Sequence, residues 1–261
     1  MTAPLPVALT IAGVDPGGGA GIVADLMTFA AHRVFGTVAV AAITVQNTRG
    51  ITRTQAVAAA LLSEQIAAIL SDAAPRAVKV GMLGNAANVS ATARALRKGK
   101  AKNVVLDPIV HATSGARLLS PLALAAMKRE LFPIAALVTP NLPEAAAIAG
   151  FAIRDEGDLR LAAGVLADLG AQAVLIKGGH AEGREIRDLF FDGRKFIDFR
   201  NFRIDTEATH GTGCTLSSAI AANLARGAPM ADAVRDGIEY LRRALGRGLF
   251  PGKGKGTPGH F

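Results

Sequence analysis

The segment Thr209-His210-Gly211-Thr212-Gly213-Cys214-Thr215 runs directly into the apolar, alanine-rich stretch Leu216–Leu224 and holds the only cysteine of the chain. Gly-X-Gly at the mouth of a helix removes the side chains at two positions. Backbone N–H groups can then converge on an oxyanion while the helix N-terminus adds its partial positive charge. Gly211, Thr212, Gly213 and Cys214 are therefore a candidate anion hole. The same residues also permit thiol chemistry, because a helix N-terminus lowers a thiol pKa and His210 stands four positions away. A third reading is an ordinary helix start capped by Thr212 or Thr215.

Other chemistry-bearing residues sit where apolar runs end. In Asn141-Leu142-Pro143-Glu144, Pro143 falls in a first helical turn, and the Glu144 carboxylate can either order Mg²⁺ or simply complement the helix dipole. Asp107 closes an apolar run before Pro108, as a metal- or phosphate-ordering group or as an Asx turn. Lys177-Gly178-Gly179-His180 pairs a cation with glycines that let phosphates approach the backbone, and it lacks the Gly-Lys-Ser/Thr of a Walker A loop. Asp15-Pro16-Gly17-Gly18-Gly19 reads as a close-approach loop beside a substrate, with Asp25 one turn into the helix that follows.

These positions must be held by alternating strands and helices. Val7–Ile11, Val38–Val45, Ala77–Val80, Val104–Leu106, Ala135–Val138 and Ala173–Ile176 read as buried strands. Helices are expected over Gln55–Ala73, Ala86–Leu96, Ser120–Glu130 (Ser120 as N-cap, Pro121 at N1), Asp155–Leu169 and Gly213–Ala225. A hairpin around Asp192-Gly193 joins Asp188–Phe191 to Lys195–Phe199. The alternation implies a mainly parallel sheet with helices on both faces, and in such sheets ligands gather outside the carboxyl ends of the strands. No long linker or repeat divides the chain, so one α/β domain over 1–261 is expected. The tail Pro251–Gly259 is expected to be irregular and mobile.

With 50% hydrophobic residues in 261, the chain can bury a sizeable core. Its apolar runs fall well short of the ~20 residues that span a bilayer, so no membrane segment is expected. A single cysteine excludes an internal disulfide, and Met1-Thr2-Ala3-Pro4 lacks the start of an export signal; a cytoplasmic protein is expected. The net charge of +8 favours anionic partners, but the basic residues are scattered and aromatics make up only 5%, which argues for a small anionic ligand over nucleic acid.

Taken together, Ala8–Pro16, Gly18–Ile22, Ala24-Asp25-Leu26, Gln46–Gly50, Lys79–Gly84, Val105–Pro108, Ala112–Gly115, Thr139–Glu144, Lys177–His180 and His210–Thr215 resemble the bacterial hydroxymethylpyrimidine/phosphomethylpyrimidine kinases over nearly the full length. That resemblance implies a ribokinase-like, three-layer α/β/α sandwich. It also implies transfer of the ATP γ-phosphoryl group to 4-amino-5-hydroxymethyl-2-methylpyrimidine and to its monophosphate, in thiamine biosynthesis. Under it, Gln46, Gly13, Asp25, Met82 and Ile109 line the pyrimidine pocket. Asn141, Lys177 and His210 bind ATP, Asp107 and Glu144 order Mg²⁺ through water, and the chain forms a homodimer. Cys214 takes the place of the aspartate base of sugar kinases. Met27, Val23, Glu207-Ala208, His111 and the Gly-Lys-Gly tail depart from the family's usual pattern. Pyridoxal kinase is the nearest rival; one branch of it carries a second flap cysteine, where this chain has Ala112. A cysteine hydrolase is the remote rival.

Overall fold

The computed structural model describes residues 5–110, 119–180 and 183–261. From the N-terminus the chain forms β1 (Val7–Val14), α1 (Gly21–Ala31), the hairpin β2 (Phe35–Asn47) and β3 (Gly50–Ala56), α2 (Ala59–Asp72) and β4 (Ala77–Val80). Next come α3 (Ala86–Lys98), β5 (Val104–Leu106), α4 (Pro121–Glu130), β6 (Leu137–Val138), α5 (Leu142–Ala149), α6 (Glu156–Asp168) and β7 (Val174–Ile176). A second hairpin, β8 (Glu185–Phe191) and β9 (Phe196–Phe202), precedes α7 (Thr212–Ala225) and α8 (Met230–Gly246).

One sheet of nine strands runs in the order β3-β2-β1-β4-β5-β6-β7-β8-β9. Its centre, from β2 to β7, is parallel, and the antiparallel hairpin strands lie at the edges. Side chains along a strand alternate between faces. Leu9, Ile11 and Val80 accordingly pack against Leu62, Val89, Met127 and Leu166 of the helices on one side, while Ala8, Val105 and Leu175 meet Phe29, Ile220 and Val234 of α1, α7 and α8 on the other. This is the expected α/β/α sandwich. The chain leaves β1 first for β2 and then returns to β4 on the other side of β1, which opens a crevice at the carboxyl ends of the strands.

Helix starts are local, and those at Ser120 and Pro143 follow expectation. Ser120 Oγ accepts from the Ala123 N–H with Pro121 in the first turn, and Asn141 and Glu144 form a reciprocal capping box. The helix expected over Gln55–Ala73 is corrected at its start. Ile51-Thr52-Arg53-Thr54-Gln55 is β-branched and alternating, and it pairs antiparallel with β2, so the helix begins only at Ala59. Met230–Gly246 adds a long amphipathic helix outside the expected set. The tail is also corrected: it is irregular, yet Gly256–His260 is buried. Gly254 N–H and Lys255 N–H donate to Thr48 Oγ1 and Thr48 O at 3.0 and 3.1 Å. Further along, Gly256 O accepts from His210 N–H at 2.9 Å. The flap positions His111 and Ala112 lie outside the described residues.

Candidate active site

The helix mouth is built as the spacing requires. Gly211 sits at the N-cap of α7 with φ 81°, and a Cβ there would strike the carbonyl of Gly19, so only glycine fits. Among the described residues no side chain caps this helix. The first-turn N–H groups, which have no acceptor within their own helix, are left facing a cavity of about 790 Å³. That cavity is lined by Gly211, Thr212, Gly213 and Cys214 together with Gly13, Gln46, Met82, Ile109, Asp107, Asn141, Glu144, Lys177 and His210. One volume thus collects residues from six strand ends and a helix start.

Its charged end is crowded. Lys177 Nζ donates to Asp107 Oδ1 at 2.9 Å, and Thr139 Oγ1 donates to the same oxygen at 3.3 Å. Glu144 is 4% exposed, and its carboxylate accepts from Asn141 N–H at 2.8 Å and Val110 N–H at 3.3 Å. Burial pushes the Glu144 carboxyl up to about 7; Lys177 opposes that shift and the nearby Asp107 adds to it. Two neighbouring carboxylates, one of them forced to share a single lysine, are a donor set suited to a hard divalent cation. Burial lowers the Lys177 pKa, but Asp107 and Glu144 outweigh it and hold the ammonium charged.

Cys214 departs from the thiolate expected of a helix N-terminus. Burial pushes the thiol up to about 11, and Lys79 and the Gly21 N–H only partly offset this. The unliganded thiol is therefore neutral at pH 7, which weighs against a covalent nucleophile.

The other end of the cavity is a hydrogen-bonded pocket. Met82 Sδ faces Gly13, where a Cβ would come to 3.3 Å. His210, assigned above to ATP, stands instead beside Gln46: His210 Nε2 lies 3.2 Å from Gln46 Nε2 and 2.7 Å from Asp15 Oδ2.

Asp25 does not reach the cavity. It is fully buried, accepting from Lys79 Nζ at 2.9 Å, Thr10 Oγ1 at 2.6 Å and Ser218 Oγ at 2.7 Å. Asp25 ties β1, β4 and α7 together beneath the anion hole. Burial alone would lower the Lys79 pKa, yet the Asp25 charge raises it. Lys79 was the signal for this pair: a lone cation inside the apolar run Ala77–Val80. Asp15, read above as part of a close-approach loop, lines the cavity, and so do Arg203, Arg242 and Lys255, which were not singled out from their spacing.

A polyanion site and a donor–acceptor pocket opening into one crevice of a parallel sheet make up a small-molecule kinase of the ribokinase-like class. A family profile described as phosphomethylpyrimidine kinase matches residues 15–259. A hydroxymethylpyrimidine/phosphomethylpyrimidine kinase of Rhizobium meliloti (strain 1021) is 48% identical over 258 residues, covering 98% of this chain and 97% of the relative. The chain belongs to the phosphomethylpyrimidine kinase family. Among solved structures, phosphomethylpyrimidine kinase from Clostridium difficile 630 superposes with a TM-score of 0.82 at 36% identity, covering 92% of this chain and 99% of that one. An ADP complex of Bacillus subtilis pyridoxal kinase superposes with a TM-score of 0.90 at 32% identity, covering 98% of both chains.

Proposed function

We propose that this chain phosphorylates 4-amino-5-hydroxymethyl-2-methylpyrimidine, and then its monophosphate, with ATP. The observation that carries the reading is the shared cavity, in which the Gln46–Met82 pocket, the bare N–H groups of Thr212–Cys214 and the Asp107–Glu144–Lys177 cluster face one volume. The reaction makes a bond from the substrate hydroxyl oxygen to the γ-phosphorus, breaks the bond to the bridging oxygen of ADP, and frees the hydroxyl proton. Helix N–H groups and Lys177 neutralise the phosphoryl oxygens, and Gln46 holds the acceptor in line. A divalent cation, when held by Asp107 and Glu144, supplies further charge neutralisation to the phosphates. Little help from a base is needed in a loose phosphoryl transfer, so positioning dominates and Cys214 contributes as a proton acceptor only in its minor thiolate form.

Steady-state turnover with Mg·ATP against the hydroxymethylpyrimidine, its monophosphate and pyridoxal tests the proposal. Turnover of both pyrimidines above pyridoxal is expected; preference for pyridoxal would favour the second reading, which the pyridoxal kinase fold likeness supports. A homodimer and a cytoplasmic location belong to the same proposal. Sedimentation velocity and cell fractionation measure them. Among the described residues no helix is long and apolar enough to cross a membrane.

A further inference from the structure

The hydrogen bonds around Gln46 do not match in the orientation in which its amide nitrogen faces His210. A carboxylate oxygen 2.7 Å from His210 Nε2 requires a proton on that nitrogen, because two lone pairs at that distance repel. The Gln46 NH₂, 3.2 Å away, then meets a second donor. Its oxygen fares no better. Thr44 Oγ1 lies 3.2 Å from Gln46 Oε1 but 2.9 Å from the Val14 carbonyl, which takes its single proton. A half-turn of the amide sets its nitrogen toward the Thr44 lone pairs and its oxygen toward the His210 N–H, which Asp15 and Gln46 then share as a three-centre donor, so neither contact any longer sets donor against donor or acceptor against acceptor.

We infer that Asp15 and His210 are positioning residues that fix the sense of the Gln46 amide, and through it which way round an aminopyrimidine lies. Both are rigidly held. The Asp15 carboxylate accepts from Gly17 N–H at 2.8 Å and Ala20 N–H at 3.0 Å. The His210 backbone is tied to Gly256 of the tail, and Gly19 packs so close to the imidazole that a Cβ there would strike Cδ2. The sense matters because a 4-aminopyrimidine edge sets a donor, the amino group, beside an acceptor, the ring nitrogen. With the amide oxygen at the His210 end, the amino group must lie there too. The hydroxymethyl group is on the carbon next to the amino-bearing one, so it falls on the His210 side, where Gly211–Cys214 follow directly in the chain. A turned amide would carry it toward Thr44 instead.

This inference rests on the pyrimidine kinase reading, and its test uses the full-length enzyme with two acceptors: the 4-amino substrate and its 4-oxo analogue, whose donor and acceptor are exchanged. The wild type is expected to prefer the amino compound by about 100-fold in kcat/KM. Asp15→Asn and His210→Leu are expected to lose at least ~10-fold of that preference, chiefly through the pyrimidine KM with the ATP KM unchanged. His210→Gln, which returns an N–H near the place of Nε2, restores it. In the wild type, NMR is expected to show nuclear Overhauser contacts from the Gln46 side-chain amide protons to the Thr44 methyl and not to the His210 ring; the reverse pattern overturns the inference without any variant. An active wild type whose preference survives in both Asp15→Asn and His210→Leu overturns it as well, leaving the kinase reading intact. A wild type inactive on the amino compound overturns both.

Discussion

Asp25–Lys79 and Asp107–Lys177 are chemically the same pair, lysine to aspartate at 2.9 Å, beneath and within one site. Their surroundings differ. Both side chains of the first pair are fully sealed, and the Thr10 and Ser218 hydroxyls complete the acceptor capacity of Asp25. The second pair opens on the cavity, and Glu144 adds a carboxylate that a single lysine cannot satisfy. A satisfied buried pair holds the backbone in place; an unsatisfied one is poised to take up charge from a ligand.

The sharpest way to break this contrast is to remove one partner from the sealed pair. Lys79→Met strands the Asp25 charge and is expected to cost about 3–5 kcal/mol of stability, read from urea unfolding, whereas Lys79→Met with Asp25→Leu recovers most of it. A stable Lys79→Met enzyme with a raised pyrimidine KM would return Asp25 to the substrate pocket. In the open pair the effect moves from stability to rate. Asp107→Asn and Lys177→Met are expected to fold normally but lose ~10²–10³ in kcat, since Lys177 neutralises the phosphoryl oxygens directly and Asp107 would hold the cation that does so.

Glu144 sharpens the contrast through pH. Its carboxyl is raised from 4.5 to about 7 in the fold. The native state therefore binds the proton more tightly than the unfolded chain, and stability falls as pH rises from about 4.5 through 7. The shift corresponds to roughly 3 kcal/mol lost by pH 8. Glu144→Gln is expected to flatten that slope and raise the melting temperature of the nucleotide-free protein at pH 8, while weakening the dependence of activity on Mg²⁺. Equal slopes in the two proteins would mean that another group carries the titration.

What could be read from the chain was what is local. The capping box of Asn141 and Glu144, the Ser120-Pro121 start and the glycine mouth at Gly211 each depend on residues within one turn, so their spacing announces them. Partnerships between distant residues were hidden. Asp25 was placed in the pyrimidine pocket, since the lysine that binds it lies 54 positions away and no spacing announces the pair, and His210 joined Gln46 across 164. Composition misled in the tail, where lysine and glycine suggest mobility. There the backbone, not side chains, makes the attachments to Thr48 and His210.

The smallest expected effect falls on Cys214, between the two pairs. Lys79 pulls its thiol pKa down while Asp25 and Asp107 push it up, and burial dominates at about 11. At pH 7 only ~10⁻⁴ of the thiol is ionised in the free enzyme, from the distance between pH and pKa. If the thiolate takes the substrate proton, kcat/KM rises with pH through the alkaline range toward 11, and Cys214→Ala abolishes that limb while lowering kcat and leaving the ATP KM nearly unchanged. A flat alkaline profile in the wild type, with Cys214→Ala parallel to it, would reduce the thiol to a packing group. The helix N–H groups and Lys177 would then carry the transfer without a base, as a loose transition state permits.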